Sequence, residues 1–168
     1  MVDFHKHFPH SGVGKVYPWL KSELETLKPG MILDYGCGKG GTALWLESEF
    51  PGVHIERYDP YVQAYNTLHP GAYEWIYSGD VLEHIPTEEL PDTIQSLAEM
   101  THTTSHIIDL DPAKKSLPDG RNAHLSLLTP DHWQQLFERH YDQVTAQTEY
   151  YGTRRRLHLR GTHAQTQN

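Results

Sequence analysis

The hydrophobic positions of the chain form short apolar runs that alternate with stretches of helical periodicity. The runs are rich in β-branched and aromatic side chains, which favour strands of a buried sheet. Proline, glycine and threonine stand where the intervening helices begin and end. In chain order the pattern predicts a helix at 18–27, a strand at 31–36, a helix at 42–50, strands at 53–59 and 73–80, a helix capped by Thr87, a strand at 105–111 and a helix from Thr129 to His140.

The end of the chain has the pattern of a hairpin, with two strands around a turn at Tyr151-Gly152-Thr153. Strands that alternate with helices through short loops predict an α/β fold: a Rossmann-like, doubly wound and mostly parallel sheet with helices on both faces. The hairpin would add an antiparallel edge. Because no repeat or linker interrupts the pattern, we expect a single domain over residues 1–168, with an irregular arm at 1–16 and a disordered tail at 161–168.

The composition is that of a globular protein, with 37% hydrophobic and 21% charged residues. No apolar run approaches the roughly 20 residues that span a bilayer, and the N-terminal stretch has no signal-peptide pattern. The single cysteine, Cys37, excludes an internal disulfide and fits a reducing compartment. We therefore expect a cytoplasmic protein without a membrane partner, and nothing in the sequence implies a protein partner.

Charge is spread unevenly along the chain. The formal net charge of −8 argues against a generic nucleic-acid coat protein, because the phosphate backbone repels such a surface. Positive charge is nevertheless concentrated near the C-terminus, at Arg154, Arg155, Arg156 and Arg160. Two interpretations stay open: a solvated strand and tail, or a small phosphate-contacting patch beside an acidic body.

The run at 32–41, ILDYGCGKGG, contains the end of a predicted strand and the glycine turn after it, and it is the strongest indication of a ligand site. Its glycines allow a sharp turn and a close approach of the backbone to a ligand. Asp59, at the end of the second strand, can accept protons from both ribose hydroxyls. A dehydrogenase would need room for a nicotinamide, and Asp34 just before the glycines would repel a pyrophosphate. A ligand with a cationic amino-acid part therefore fits this run better.

Two motifs then carry a family resemblance. Asp34-x-Gly36-x-Gly38-x-Gly40 resembles the first motif of class I S-adenosylmethionine-dependent methyltransferases, and SGDVLEHI at 78–85 resembles their fourth-strand motif. The resemblance spans roughly residues 30–140 and implies S-adenosylmethionine as the cofactor. It implies cofactor contacts from Asp34, Gly36, Cys37, Gly38, Gly40, Asp59, Pro60, Tyr61, Gly79, Asp80, Val81 and Leu82.

The interval between the second strand and the fourth-strand motif is short for this family. It holds only residues 60–72, too few for the usual third strand and helix, so we expect an abbreviated sheet without that edge. Tyr58 or Tyr61 would then either cover the adenine or pack in the core. Cys37, inside the glycine turn, is expected to be structural.

The chemistry of methyl transfer points to a base near the same strand ends. His84, just after the motif at 78–85, and His124, in the loop at 111–128, are candidate general bases, with Asp80 and Glu83 beside them. Asp80-x-x-Glu83-His84 with His124 is also similar to the metal set of Hen1-type small-RNA 2′-O-methyltransferases, which implies a possible divalent ion held by these four residues. In metal-free relatives, the two carboxylates instead serve the polarity of the cofactor site or cap the next helix.

The sequence leaves three functions open, two of which differ in the molecule that receives the methyl group. The enzyme could methylate an oxygen or nitrogen atom of RNA, such as the ribose 2′-OH, with Arg121 and the C-terminal arginines on phosphates. It could instead be a small-molecule O- or N-methyltransferase. A third possibility is a regulator that binds the cofactor without catalysis, against which the two histidines count.

Overall fold

The computed structural model of the chain describes residues 14–164, and in them six strands form one sheet. The first four strands pair in parallel in the order β2-β1-β3-β4, and the last two continue the sheet as an antiparallel pair, β6-β5. The predicted α/β fold with a mostly parallel sheet and a closing hairpin is thus confirmed. The strands are β1 (Met31–Tyr35), β2 (His54–Tyr58), β3 (Trp75–Gly79), β4 (Thr103–Asp109), β5 (Gln143–Tyr151) and β6 (Arg154–Thr162).

Helices cover both faces of this sheet, as a doubly wound fold requires. Consecutive residues of β1 point to opposite faces, so Ile32 packs with the leucines of the first two helices and Leu33 with Leu97 of the third. Both are fully buried, which explains the continuous apolar run in the sequence. The helices are α1 (Pro18–Leu27), α2 (Gly41–Glu49), α3 (Leu90–Met100) and α4 (Pro130–Glu138). None of these helices has the length and apolar composition needed to cross a bilayer.

Two sequence-based boundaries are wrong. The helix α3 begins at Leu90 rather than after Thr87, because Pro91 suits a first turn while Thr87 begins a short 3-10 turn and its hydroxyl contacts that of Ser126 at 2.8 Å. The predicted tail starts too early, since Gly161 and Thr162 still pair with β4. Residues 14–16 of the predicted arm are irregular, and the rest of the arm and of the tail lies outside the described residues.

The segment between β2 and β3 is short, as the sequence predicts. Within residues 59–74 the structure contains a 3-10 turn at Gln63–Tyr65 and an isolated β-bridge from Tyr73 to Thr101. The backbone N–H of Asp59 donates to the Tyr65 carbonyl at 2.9 Å. The strand β2 therefore forms an edge of the sheet. Its charged residues Glu56 and Arg57 suit an edge strand, because charged side chains discourage pairing with another strand.

Candidate functional site

The glycine run forms a tight turn between β1 and α2 at the carboxyl end of the sheet. The N–H groups of Gly36 and Cys37 both donate to the Tyr58 carbonyl, at 2.7 and 3.0 Å, which binds the turn to the end of β2. Gly36, Gly38 and Gly40 have φ values of 77°, 56° and 77°. These left-handed conformations explain why the turn requires glycine.

The glycine turn also lies against the segment that follows β3. A Cβ placed on Gly36 would meet Val81 Cγ2 at 2.4 Å, so the backbone of the turn touches the motif at 78–85 directly. Because β1 and β3 are parallel neighbours, their carboxyl ends meet at one edge of the sheet. The structure therefore brings the two sequence motifs together.

Asp59 lies beside the same turn. One of its carboxylate oxygens accepts the N–H of Gly38 and the other accepts the N–H of Tyr61, each at 3.0 Å. Asp59, the residue predicted to bind the ribose, thus also holds the glycine turn in place. Of its neighbours, Pro60 is exposed and Tyr61 is half-buried.

Asp34 is buried beneath the turn, with a relative exposure of 2%. Its Oδ2 has no hydrogen-bond partner among the described residues. Burial raises the pKa of this carboxyl to about 7, although the positive charge of Arg57 acts in the opposite direction. A cation bound on the turn would favour the ionised form of Asp34.

Two of the predicted cofactor residues, Leu82 and Cys37, have side chains that are buried in the protein. The side chain of Leu82 is fully buried in the core with residues of α3 and α4, so any contact of this residue with the cofactor would have to come from its backbone. Cys37 is buried, and burial raises the pKa of its thiol far above the usual range. The thiol therefore stays protonated, which agrees with a structural rather than a nucleophilic role.

Asp80 follows β3 with a left-handed φ of 56°, and its carboxylate is surrounded by cations and a phenol. Oδ2 contacts the Lys15 ammonium and accepts the Tyr17 hydroxyl at 3.1 Å. The guanidinium of Arg156 lies 2.8 Å from Oδ1. The N-terminal segment and the strand β6 thus meet at this carboxylate.

Arg156 is the central residue of this ionic cluster. Its guanidinium carbon lies 5.5 Å from the ring centre of Tyr17 and 5.6 Å from that of Tyr151, and Nη2 lies 3.6 Å from an oxygen of Asp109. The side chain is largely buried, and opposite charges with two aromatic faces compensate that burial. Arg156 therefore joins the ends of β3 and β4 to the N-terminal segment.

Sequence reasoning missed most of this cluster. Asp109 lies inside the predicted strand at 105–111, whereas β4 ends at this residue, so the prediction from strand ends does not single it out. Tyr17 and Arg156 could not be found either, because the position of the closing hairpin in the sheet does not follow from the pattern of its residues.

The two candidate histidines are neighbours. His84 and His124 have ring centres 4.8 Å apart in an edge-to-face arrangement. Nδ1 of each ring lies by a backbone carbonyl: Ala123 for His84 at 2.8 Å and Asp111 for His124 at 2.6 Å. A carbonyl only accepts, so each Nδ1 carries the proton and each Nε2 carries the lone pair of the neutral ring. Burial lowers the pKa of His84 to about 4 and lowers that of His124, so both are neutral at pH 7.

Glu83 adjoins this pair. Its Oε1 accepts the N–H of Asp109 at 3.1 Å, while its buried Oε2 has no hydrogen-bond partner within residues 14–164. Burial and the nearby carboxylate of Asp80 raise the pKa of Glu83 well above its usual range. One ligand atom each from Glu83, His84 and His124 lie within 4.8 Å of one another. Asp80, the fourth predicted metal ligand, is not in this group.

The sequence left open whether the C-terminal arginines contact phosphates, and in the structure they lie close to carboxylates. Nitrogen–oxygen distances are 2.7 Å for Arg154 to Asp109, 2.7 Å for Arg155 to Asp111 and 4.0 Å for Arg160 to Glu23. Arg121, in the loop at 111–128, is paired in the same way with Asp119 at 2.7 Å. The acidic partners offset the positive charge of this surface.

Comparison with known proteins identifies the family of the chain. The family model described as "Methyltransferase domain" matches residues 17–148, which is most of the chain. No curated protein matches the chain. The match covers both sequence motifs, the two histidines and Asp109.

Solved structures share the fold at low sequence identity. Magnesium protoporphyrin IX methyltransferase from Synechocystis PCC 6803, with bound S-adenosylmethionine, has a TM-score of 0.62 and 18% identity, over 98% of this chain and 86% of its own. TehB from Haemophilus influenzae has a TM-score of 0.64 and 14% identity, over 96% and 66%. The N-terminal domain of EvdMO1, in the presence of S-adenosylhomocysteine and D-fucose, has a TM-score of 0.63 and 13% identity, over 90% and 85%. The chain spans 54% of another neighbour, from Nostoc punctiforme.

Proposed function

The chain belongs to the methyltransferase domain family, and from this premise we propose that it moves the methyl group of S-adenosylmethionine to an oxygen or nitrogen atom of a small acceptor. One observation carries the proposal: the glycine turn, Asp59 and the segment at 79–84 meet at the carboxyl ends of neighbouring parallel strands. Ligands of doubly wound folds bind at this edge. The bound S-adenosylmethionine and S-adenosylhomocysteine of two structural neighbours support the choice of ligand.

The residues present fit this cofactor. The backbone at Gly36 leaves no room for a side chain against Val81, and the turn at Gly36 and Gly38 offers its backbone to the methionyl part. The carboxylate of Asp59, which holds the N–H groups of Gly38 and Tyr61, would also accept the ribose hydroxyls, since a carboxylate oxygen can accept more than one hydrogen bond. The buried Oδ2 of Asp34, without a hydrogen-bond partner within residues 14–164, suits the positive charge of the ligand.

The chain then has to orient the acceptor and take its proton. When bound, the cofactor supplies an activated methyl group for direct displacement. The protein holds the acceptor in line with that group, a positioning effect that by itself can lower the barrier by several kcal/mol. The neutral imidazoles of His84 and His124 can remove the proton of the acceptor, and the carboxyl groups of Asp80 and Glu83 make the surroundings polar.

A small acceptor is favoured over RNA. The arginines of the C-terminal strands are all close to carboxylates, and the whole chain carries a net charge of −8. Phosphate binding would need free cations on the surface, because it gains its affinity from counterion release. The same proposal includes a single domain and a cytoplasmic location. The lone buried cysteine favours the cytoplasmic location.

Transfer of tritium from labelled S-adenosylmethionine tests the proposed function. The protein is incubated with a small-metabolite extract and, separately, with total RNA. Counts in the metabolite fraction alone are the expected result. Counts in RNA would instead support RNA methylation, and binding of the cofactor without transfer to either fraction would support the regulator.

The pH dependence of cofactor binding follows from Asp34. Its pKa is raised to about 7, so the carboxyl is largely protonated at pH 6 and ionised at pH 8. The charged groups that act on the Asp34 carboxyl are Arg57 and Asp59. Because the ammonium group of the amino-acid part of the ligand favours the ionised carboxyl, affinity for S-adenosylhomocysteine is expected to rise about tenfold from pH 6 to pH 8. Calorimetry at the two pH values measures this change.

The matched variant for this pH test is Asp34→Asn, which keeps the shape of the side chain and cannot ionise. It is expected to bind S-adenosylhomocysteine with nearly the same affinity at both pH values, and more weakly than wild type at pH 8. Equal affinities of the wild type at pH 6 and pH 8 would contradict the role of Asp34.

A divalent ion held by the same residues is the alternative to a histidine base, because an Nε2 atom that coordinates a metal has no lone pair left to accept a proton. Glu83 supplies a buried oxygen that has no hydrogen-bond partner among the described residues, and two imidazoles converge on it, which suits a metal such as Zn²⁺ or Mn²⁺. Ligand atoms of a tetrahedral zinc site lie about 3.3 Å apart. The ligand atoms of Glu83, His84 and His124 lie within 4.8 Å of one another, so the side chains would have to move slightly inward to bind zinc. Such an ion would lower the pKa of a bound hydroxyl.

Metal titration distinguishes this alternative from the histidine base. Wild type is expected to bind one equivalent of Zn²⁺ or Mn²⁺ by calorimetry, and Glu83→Gln to lose at least about 100-fold in affinity, since a ligand matters no less than the groups that orient it. Glu88→Gln, at an exposed position four residues beyond His84, is the control and should bind as wild type does. Absence of binding by wild type would leave the imidazoles as the base without an ion.

A further inference from the structure

A recess adjoins the histidine pair, between residues 86–88 and residues 121–125. Its volume is about 300 Å³, at the lower end of the range of small-molecule sites. His124 belongs both to the lining of the recess and to the histidine pair. The recess therefore leads to an imidazole that the proposed function uses.

One wall of the recess is held by hydrogen bonds within its own loop. The side-chain amide of Asn122 donates to the Ala113 carbonyl and its oxygen accepts the Ala113 N–H, both at 2.9 Å. The same oxygen accepts the N–H of His124, also at 2.9 Å. The loop that presents His124 is therefore organised without a ligand.

The opposite wall is bound to that loop through Ser126. Its hydroxyl donates to the Ile85 carbonyl at 2.7 Å, and its N–H donates to the Glu83 carbonyl at 3.0 Å. Its hydroxyl also lies 2.8 Å from that of Thr87. These bonds set the distance between the two walls, and a preformed recess of this kind lowers the ordering cost of binding a ligand.

The lining is formed mostly by polar residues, with two apolar residues among them. Nδ1 of His124 is engaged by the Asp111 carbonyl, so Nε2 of the neutral ring can accept a hydrogen bond from a hydroxyl. Pro86 and Leu125 supply apolar contact for a ring. The recess thus offers polar groups to a hydroxyl and a small apolar surface to a ring.

The charges at the rim disfavour an anion. Glu88 and Arg121 both line the recess, and Arg121 already binds Asp119, with distances of 2.7 and 2.8 Å. Two carboxylates and one guanidinium leave the rim net negative. A phosphate or carboxylate on the ligand would meet repulsion there, whereas a neutral or cationic group would not.

We propose that this recess seats the methyl acceptor and that the acceptor is a neutral or cationic molecule with a single hydroxylated ring, such as a phenol. The proposal rests on the proposed function and names its substrate class. The hydroxyl oxygen forms a bond to the methyl carbon while the methyl–sulfur bond breaks and sulfur keeps the electron pair. The hydroxyl proton passes to Nε2 of His124.

Nuclear magnetic resonance on the full chain saturated with S-adenosylhomocysteine tests the proposal. The probes are 4-ethylphenol, tyramine and 4-hydroxybenzoate, which are neutral, cationic and anionic at pH 7. The first two are expected to shift the His124 ring signals saturably and to show contacts between probe ring protons and the Leu125 methyl groups. The anionic probe is expected to bind at least about tenfold more weakly.

A pair of tryptophan variants provides the control. Leu125→Trp fills the recess and is expected to lower the affinity for both phenols at least about tenfold. Leu127→Trp, at a position that is 45% exposed and outside the lining, should bind them as wild type does. Both variants should keep wild-type affinity for S-adenosylhomocysteine. Should Leu125→Trp fail to fold, the contacts between probe and Leu125 in wild type decide the question.

Two results would overturn the proposal: no probe shifts the signals of His124, or Leu125→Trp binds the phenols as tightly as wild type. Failure of the proposed function is a separate outcome. It is seen beforehand as an absence of S-adenosylhomocysteine binding by wild type.

Discussion

Replacing His124 with asparagine is expected to lower methyl transfer by about 10²–10⁴-fold, the usual contribution of a general base. The physical reason is that the neutral ring presents Nε2 to the acceptor while Nδ1 is held by the Asp111 carbonyl. Asparagine can still donate to that carbonyl, so the loop keeps its anchor and only the proton acceptor is lost. The measurement is initial-rate transfer of tritium from labelled S-adenosylmethionine to the metabolite fraction.

Two comparisons make the His124 result interpretable. The same replacement at His84 is expected to lower the rate as well, since its ring lies edge-to-face on His124 at 4.8 Å. His54→Ala, at an exposed position of the edge strand β2, is the control and should leave the rate unchanged. Affinity for S-adenosylhomocysteine should stay at the wild-type value in all three variants. A His124→Asn protein that turns over at the wild-type rate would remove the histidine pair from the mechanism.

The second large effect is expected at the glycine turn. Gly36→Ala forces a left-handed residue to carry a Cβ and places that atom 2.4 Å from a methyl group of Val81. The left-handed conformation costs about 1–2 kcal/mol and crowding of a packed site typically costs about 1–3 kcal/mol more. The free energy of unfolding, measured by denaturant titration, should fall by the sum, and S-adenosylhomocysteine affinity should fall with it.

The chain offers a matched control for this variant. Gly52 also has a left-handed φ, 101°, but a Cβ there would meet nothing within 4 Å. Gly52→Ala therefore measures the conformational cost alone and should leave cofactor binding unchanged. Adding Val81→Ala to Gly36→Ala should recover only the crowding part. Equal losses of stability for Gly36→Ala and Gly52→Ala would show that the contact with Val81 is unimportant.

The parts of the site that follow from strand ends could be predicted from the sequence. Asp34, Asp59 and the segment at 78–85 each come at the end of an apolar run, and parallel strands place their carboxyl ends together. The short interval at 60–72 likewise predicted the abbreviated sheet, because it has no room for a strand and a helix. His84 and His124 converge for the same reason, since each follows the end of a central strand.

The rest depends on contacts that no local pattern specifies. Arg156 reaches Asp80 only because β6 lies next to β4, a pairing between residues far apart in the sequence. Leu82 belongs to a motif of the site, yet its side chain points into the core. Thr87 looks like a helix cap in the sequence, but its hydroxyl is used by Ser126, and the helix begins at Leu90 instead.

Calorimetric titration with S-adenosylmethionine and S-adenosylhomocysteine tests the central claim most directly, because it needs no knowledge of the acceptor. The account predicts one saturable site for each ligand, with a Kd below about 1 mM, the upper end of common KM values. NAD⁺, which would fit a dinucleotide site with the same glycine spacing, should give no binding heat. Binding of NAD⁺, or the absence of binding by both sulfur ligands at that concentration, would contradict it.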